Sequence, residues 1–258
     1  MRQALLSRAA LVAALGFLPG RLRAQDSTTV HGDSAATRAP AWRYQADFGF
    51  QDMSGNRELT VVNGSLEVEH EQHETYILNL RVEARYGSDN QEESVDYQLT
   101  EDRFDWRPEQ RFSPYLTLDA ARDPVRETAL RLQEGTGINV NIERREDDRT
   151  TLSLGVINDY HQRTAGIVPG VEREARWSVR GASAVELGPI TRLEVEARYQ
   201  PSFKGAADYL VTAEAALRVA ITKHIGFLTR FQFLRDSRPA TGVQPDDHAL
   251  TAAFSLAW

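Results

Sequence analysis

The residue types best suited to chemistry in this chain are its six histidines, His31, His70, His73, His161, His224 and His248. "HEQHE" at 70–74 sets two imidazoles three residues apart among carboxylates, donors that could hold a transition metal. It is not the H-E-x-x-H of a helical zinc site, and it falls at a turn, so a solvated turn is the simpler reading. A lipid-facing Ser–His hydrolase needs nucleophile and base within hydrogen-bond reach, which a His-x-Ser spacing on one strand face would supply. None of the six histidines has that spacing. "QPDDH" offers Asp246 and Asp247 as hard oxygen donors for Ca²⁺ or for bridging lipopolysaccharide, with an ordinary acidic loop as the plainer reading. No catalytic residue, metal ligand or cofactor is expected.

The remaining polar chemistry is ionic, and it alternates with apolar residues. Acids (Asp47, Glu67, Glu69, Glu83, Asp96, Asp119, Asp159, Glu174, Glu186, Glu194, Glu196, Glu214) and arginines (Arg43, Arg81, Arg85, Arg131, Arg176, Arg180, Arg192, Arg198, Arg218, Arg230) share one face of the pattern. Arg81, Glu83, Arg85, Arg180, Glu194, Glu196, Arg198, Glu214 and Arg218 are the candidates for lining an interior. Two uses follow. Neighbouring charges can satisfy one another and fill a narrow lumen, or an arginine ladder can select anionic solutes. Selective filters favour one sign, and here the signs are nearly balanced, so the wall of ion pairs is preferred.

Positioning such a face requires strands. "WRYQADFGF" puts Trp42, Tyr44, Ala46, Phe48 and Phe50 opposite Arg43, Gln45, Asp47 and Gly49, and "YILNLRVEARY", "LEVEARY" and "YLVTAEAALRVAI" repeat the pattern. Period-two alternation marks strands with one apolar and one polar face. It predicts twelve, near 42–52, 59–71, 75–87, 92–106, 111–121, 128–143, 149–161, 172–187, 190–203, 207–222, 224–235 and 247–258. Most exceed the usual strand length of about 5–6 residues and reach the roughly 9–11 that a tilted strand needs to cross a bilayer. Short connections ("RPEQ", "GP", "TKH") alternate with longer ones ("QRTAGIVPG", "DSRPATGVQPDD"), as in barrels with short periplasmic turns and longer external loops. With both termini periplasmic, Trp42, Tyr44, Tyr76, Trp106, Phe112 and Trp258 fall at one membrane interface. Phe50, Tyr86, Tyr160, Tyr199, Phe203 and Tyr209 fall at the other. The fold expected is an all-β antiparallel transmembrane β-barrel of about twelve strands.

Two stretches resist this pattern. Asn63-Gly64 is a hairpin signal, but a turn there leaves strands too short to span, so one strand with Gly64 facing lipid is preferred. In "VDYQLTEDRFDW" the apolar parity shifts between Leu99 and Phe104, which predicts a bulge or an end of regular pairing.

The first forty residues are of a different kind. Arg2 and Arg8, the apolar run Ala9 to Leu18 and Ala24 predict a cleaved secretory signal over 1–24, followed by a Ser/Thr/Ala/Asp-rich disordered linker over 25–40 and the barrel over 41–258. Export, together with the barrel, predicts the outer membrane of a Gram-negative bacterium. No cysteine is present, which removes a lipoprotein anchor, disulfides and thiolate metal sites. A net charge of −7 argues against nucleic acid, whose phosphates call for a basic face. The partners expected are outer-membrane lipid and lipopolysaccharide, with the oligomeric state open. Phe254, Leu256 and Trp258 on the last strand form the expected signal for the barrel-insertion machinery.

With the barrel on the page, "GFQDMSGNRE" and "LDAARDPVRETALRLQEGTGINVNI" gain meaning. They resemble the landmarks of the salt-induced outer-membrane protein family (YdiY-like), a domain-of-unknown-function group. Asp123-Pro124, Gly135 and Gly137 match; Asn139 stands where a glycine is common, and the terminal aromatic is tryptophan rather than phenylalanine. The resemblance covers about 42–258 and implies an outer-membrane barrel linked by name to salt stress, with no catalytic residues or substrate to carry over. The expectation is therefore a non-enzymatic envelope or stress-associated barrel with a charged lumen. A narrow small-solute channel, anion-selective in one version, is the alternative, and a lipid-modifying outer-membrane hydrolase comes third.

Overall fold

The computed structural model describes residues 41–258 apart from 55–58, 73, 90–91, 125–126, 145–147, 164–169 and 240–241. The predicted signal and linker, His31 and His73 lie outside the described residues. Twelve strands follow one another: β1 (Ala41–Ser54), β2 (Leu59–Gln72), β3 (Tyr76–Asp89), β4 (Glu92–Trp106), β5 (Phe112–Asp123), β6 (Thr128–Arg144), β7 (Arg149–Arg163), β8 (Val171–Gly188), β9 (Thr191–Ser202), β10 (Gly205–Ala220), β11 (Ile225–Asp236) and β12 (Asp246–Ala257). Each pairs antiparallel with its sequence neighbours, and β1 pairs with β12, so the sheet closes on itself. Closure satisfies every strand edge, the condition for a sheet to stand in hydrocarbon.

Because side chains alternate along each strand, closure sorts them into an inner and an outer wall. The outer wall carries Phe48, Phe50, Leu116, Leu154, Trp177, Val195, Phe231, Leu250 and Phe254, all exposed. The inner wall buries Asp47, Glu83, Asp159, Arg176 and Arg230. This inside-out distribution is the reverse of a soluble sandwich core. Both girdle sets take outward positions. At the end where the termini meet, Trp42 stacks beside Tyr44 and Tyr44 beside Trp258, with ring centroids 6.1 and 6.0 Å apart. At the far end Trp177 packs on Phe203 at 4.5 Å and Tyr199 on Tyr209 at 5.7 Å.

Asn63-Gly64 does not turn the chain. β2 pairs without interruption through Phe48↔Gly64↔Ala84, with Gly64 on the outer wall. The Phe48 ring covers the glycine: a Cβ there would stand 3.5 Å from Phe48 Cδ1. The expected bulge between Leu99 and Phe104 is absent. β3 and β4 pair continuously from Tyr76↔Trp106 to Gly87↔Val95, and the only register shift lies beyond, between Gly87 and Ser88. The parity change has another cause: Tyr97 and Leu99 turn inward beside Arg85 and Glu83, and Gln98, Thr100 and Asp102 turn outward. The same register corrects the placement of Asp96, which shares the outward side with Tyr86 instead of lining the lumen, and pairs there with Arg122.

The Gly-rich landmark on β6 serves a tight approach between strands. Gly137 faces Gly155 of β7 across the ladder, and a Cβ on Gly137 would sit 2.6 Å from the Gly155 Cα and 2.8 Å from Tyr115 Cε1. Only glycine fits such a contact. The space on the inner side is taken by Tyr115, buried under the Arg103 guanidinium 4.4 Å from its ring centroid.

Candidate functional site

The lumen is where the polar side chains converge, and it is built on repeats of one unit: a carboxylate held between two guanidinium groups. On β3, Glu83 is 1% exposed and accepts from Arg81 at 2.7 Å and Arg85 at 2.6 Å. On β9, Glu194 lies 3.1 Å from Arg192 and 3.2 Å from Arg218 of β10. One inward position further, Glu196 lies 2.5 Å from Arg180 of β8 and 3.3 Å from Arg198. The register sets Arg192 opposite Arg218 and Arg180 opposite Arg198, like charges that repel across a ladder. The glutamate offset along the strand compensates each pair. All nine candidate lumen residues of the sequence therefore sit on the inner wall, joined in ion pairs.

Several of these pairs cross the barrel instead of following its wall. Arg81 reaches Glu214 at 3.5 Å, although β3 and β10 stand five strands apart on the ring. Arg85 donates to Gln232 of β11 at 2.9 Å, and Arg230 of β11 approaches Glu83 at 3.9 Å. Arg198 spans from β9 to Asp119 of β5 at 3.2 Å, and Arg218 from β10 to Asp47 of β1 at 3.4 Å. Near the terminal end Arg149 of β7 meets Glu71 of β2 at 3.8 Å. A second knot near the far end has Asp159 between Arg131 at 2.5 Å and Arg176 at 3.3 Å, with Arg176 reaching on to Asp208 at 2.9 Å and Glu174 at 2.7 Å. Buried charges endure only when paired and hydrogen-bonded, and here the partners sit on opposite walls. Around these braces remains a cavity of about 620 Å³, bordered by residues of both halves, among them Asn141 and Arg149 near the terminal end and Asp123 and Arg131 near the far end.

The sequence's other candidates take structural places. His70 lies on the outer wall against Trp42 at 4.2 Å and Tyr76 at 5.5 Å, part of the aromatic girdle. Asp246 pairs with Arg235 at 3.1 Å, and no group of three or more metal-ligating side chains occurs among the described residues. One contact that spacing could not foretell joins Thr128 Oγ1 of β6 to His161 Nε2 of β7 at 3.0 Å. That is the length of a hydroxyl–imidazole pair in nucleophilic catalysis, yet both groups are buried on the inner wall, away from any lipid surface. Phe254, Leu256 and Trp258 are all exposed, the first two on the outer wall of β12.

Comparison with known proteins adds family and fold. The family described as "Protein of unknown function, DUF481" matches residues 46–258. Curated proteins give no match. Among solved structures, the NanC porin superposes with a TM-score of 0.53 at 9% identity, over 82% of this chain and 98% of that one. The translocator domain of the autotransporter NalP from Neisseria meningitidis gives 0.48 at 10% identity, over 99% and 95%. The KdgM porin gives 0.44 at 11% identity, over 83% and 99%. At 9% identity the likeness to the NanC porin concerns the fold alone, that of an outer-membrane β-barrel.

Proposed function

We propose that this chain, which belongs to the DUF481 family, resides in the outer membrane of a Gram-negative bacterium as a non-enzymatic envelope barrel whose lumen is closed by ion pairs. The observation that carries the reading is the set of braces across the lumen, Arg81–Glu214, Arg230–Glu83 and Arg198–Asp119. A porin keeps charges on its walls and leaves the axis to water. Here guanidinium groups extend from one wall to carboxylates on the other, and each positive charge is matched where it lies. Among the described residues such a lumen holds no unpaired arginine ladder for drawing in anions. The exposed apolar outer wall and the two aromatic girdles support the membrane placement.

The test is single-channel recording of the purified, refolded full chain in planar bilayers. Silent bilayers at moderate salt are expected, and a steady open-state conductance would overturn the closed lumen. A narrow channel is the second reading, favoured by the cavity of about 620 Å³ among the braces, and the same recording decides between them. Hydrolysis of labelled phospholipid or lipid A by the refolded protein would overturn the non-enzymatic reading. A chain that stays soluble without detergent would overturn the membrane placement.

A further inference from the structure

A barrel lumen is ordinarily polar, and on the terminal side of the braces this one follows the rule, with Asn139, Asn141, Thr151 and Ser153 hydrogen-bonded along its wall. The far side departs from it. On β4, Leu99 and Tyr97 take the next two inward positions beyond Glu101, which meets Arg81 at 3.6 Å. On β5, Ala121 follows Asp119 and stands opposite Leu99 in the ladder. On β10, Leu210 lies two inward steps beyond Glu214, and on β11 Leu234 lies two beyond Arg230. The β4–β5 and β10–β11 pairs stand half the ring apart, so these apolar side chains come from opposite walls. Tyr97, Leu99, Ala121, Leu210 and Leu234 all border the cavity of about 620 Å³. The braces Arg81–Glu214 and Arg198–Asp119 form the floor beneath them.

Between the apolar walls stand neutral hydrogen-bonding groups. Gln200, the inward residue after Arg198 on β9, accepts from Gln133 of β6 at 3.4 Å, and both amides border the cavity. The guanidinium groups around them are already committed. Arg85 donates to Glu83 at 2.6 Å and to Gln232 at 2.9 Å, and lies 4.3 Å from the centroid of the Tyr97 ring. Arg131 holds Asp159, and Arg198 holds Asp119. A charged guest would have to break one of these pairs and leave a buried charge alone. An uncharged guest leaves them whole.

Concave sites of about 300–1,000 Å³, lined mainly by apolar and aromatic side chains with a few placed polar groups, are where small organic molecules bind. We propose that the far side of the lumen is a binding site for a small, uncharged and mostly apolar molecule. Leu99, Leu210 and Leu234 meet its body, and the Gln133 and Gln200 amides meet its polar group. With the braces as a floor, the molecule is held in the barrel and does not pass through it. The inference deepens the closed-barrel reading above and rests on it.

The chain has no cysteine of its own, so single-cysteine variants report position cleanly. Thr212, beyond Glu214 on β10, borders the cavity on the far side of the braces, and Thr151 borders it on the terminal side. Full-length Thr212→Cys and Thr151→Cys would be refolded into lipid nanodiscs, which leave both ends of the barrel open to solution. Each is reacted with a water-soluble methanethiosulfonate, with and without naphthol, a fused-ring phenol that is uncharged at neutral pH. Naphthol is expected to slow the labelling of Thr212→Cys severalfold and to leave that of Thr151→Cys unchanged. Naphthalene sulfonate, the same rings with a fixed negative charge, should protect far less. In the Thr212→Cys background, protection should disappear on adding Ala121→Trp, which fills the space, or Leu99→Ser/Leu234→Ser, which makes its walls polar; either serves if the other does not fold. A Thr212→Cys that never labels, or that naphthol does not protect, would overturn the proposal. So would equal protection by the sulfonate or at Thr151→Cys, or protection that survives in a folded chamber variant. A chain that never inserts, or a barrel that conducts steadily, overturns the reading beneath it. An inserted, silent barrel without protection overturns the binding site alone.

Discussion

Tyr44 and Trp258 exchange both backbone hydrogen bonds, at 3.0 Å and 3.1 Å, and their rings stack 6.0 Å apart with planes 12° from parallel. This is the last rung of the β1–β12 seam, and it joins barrel closure to the aromatic girdle at one residue pair. An exposed aromatic at this position serves both the ladder and the interface between hydrocarbon and headgroups.

Replacing Trp258 with Asp is therefore expected to impair membrane insertion, leaving aggregated or degraded chain in the periplasm. Quantifying the heat-modifiable band in membrane fractions checks this, and normal membrane levels of Trp258→Asp would contradict it.

Glu83 is the most enclosed carboxylate of the lumen among the described residues and lies 2.6, 2.7 and 3.9 Å from Arg85, Arg81 and Arg230. Glu83→Ala leaves those guanidinium groups buried without their shared partner, an imbalance that costs about 3–5 kcal/mol. The urea midpoint of the refolded barrel, followed by tryptophan fluorescence, should fall accordingly. Lys204→Ala, at an exposed ion pair with Glu174, should leave it unchanged.

Removing a brace should open the axis. The double variant Arg81→Ala/Glu214→Ala takes away one cross-lumen pair and its bulk without leaving either charge alone. Conductance is expected where the wild type is silent, and continued silence of an inserted double variant would mean that the remaining pairs suffice to close the lumen.

Gly155→Val should be costly and Gly181→Ala should not. A Cβ at Gly155 would stand 3.1 Å from the Gly137 Cα and press on the Tyr115 hydroxyl, while a Cβ at Gly181 meets nothing within 4 Å. Overpacking of this kind costs about 1–3 kcal/mol. Lower refolding yield and a lower urea midpoint for Gly155→Val alone would agree with it.

The strands were legible because the membrane imposes one rule on every outward position, and that rule writes itself into the sequence as long alternation. β10 and β12 each predict their own faces, residue by residue, from Tyr209 to Val219 and from Leu250 to Leu256. The rule fails on β4, where Asp102 and Thr100 point outward and Leu99 points inward. Read alone, that stretch looks like broken pairing, because Leu99 and Phe104 fall on opposite parities although the ladder is unbroken. The lumen was legible only as composition. Which arginine meets which carboxylate depends on how far the strands are staggered around the ring, so Arg81–Glu214 and Arg198–Asp119 have no trace in sequence spacing. The same holds for Thr128–His161, a contact made by the β6–β7 register.

The seam between β1 and β12 also fixes the order of events in folding. Gln45 pairs with Ala257 and Ser54 with His248, partners from opposite ends of the barrel-forming chain. Every other strand pair can form as a hairpin with its neighbour, but this one waits for the final segment. Contacts so distant along the chain make folding slow, and until they form, the sheet presents two sticky margins to any other chain nearby. The newly made protein is thus most vulnerable in the interval before its ends meet.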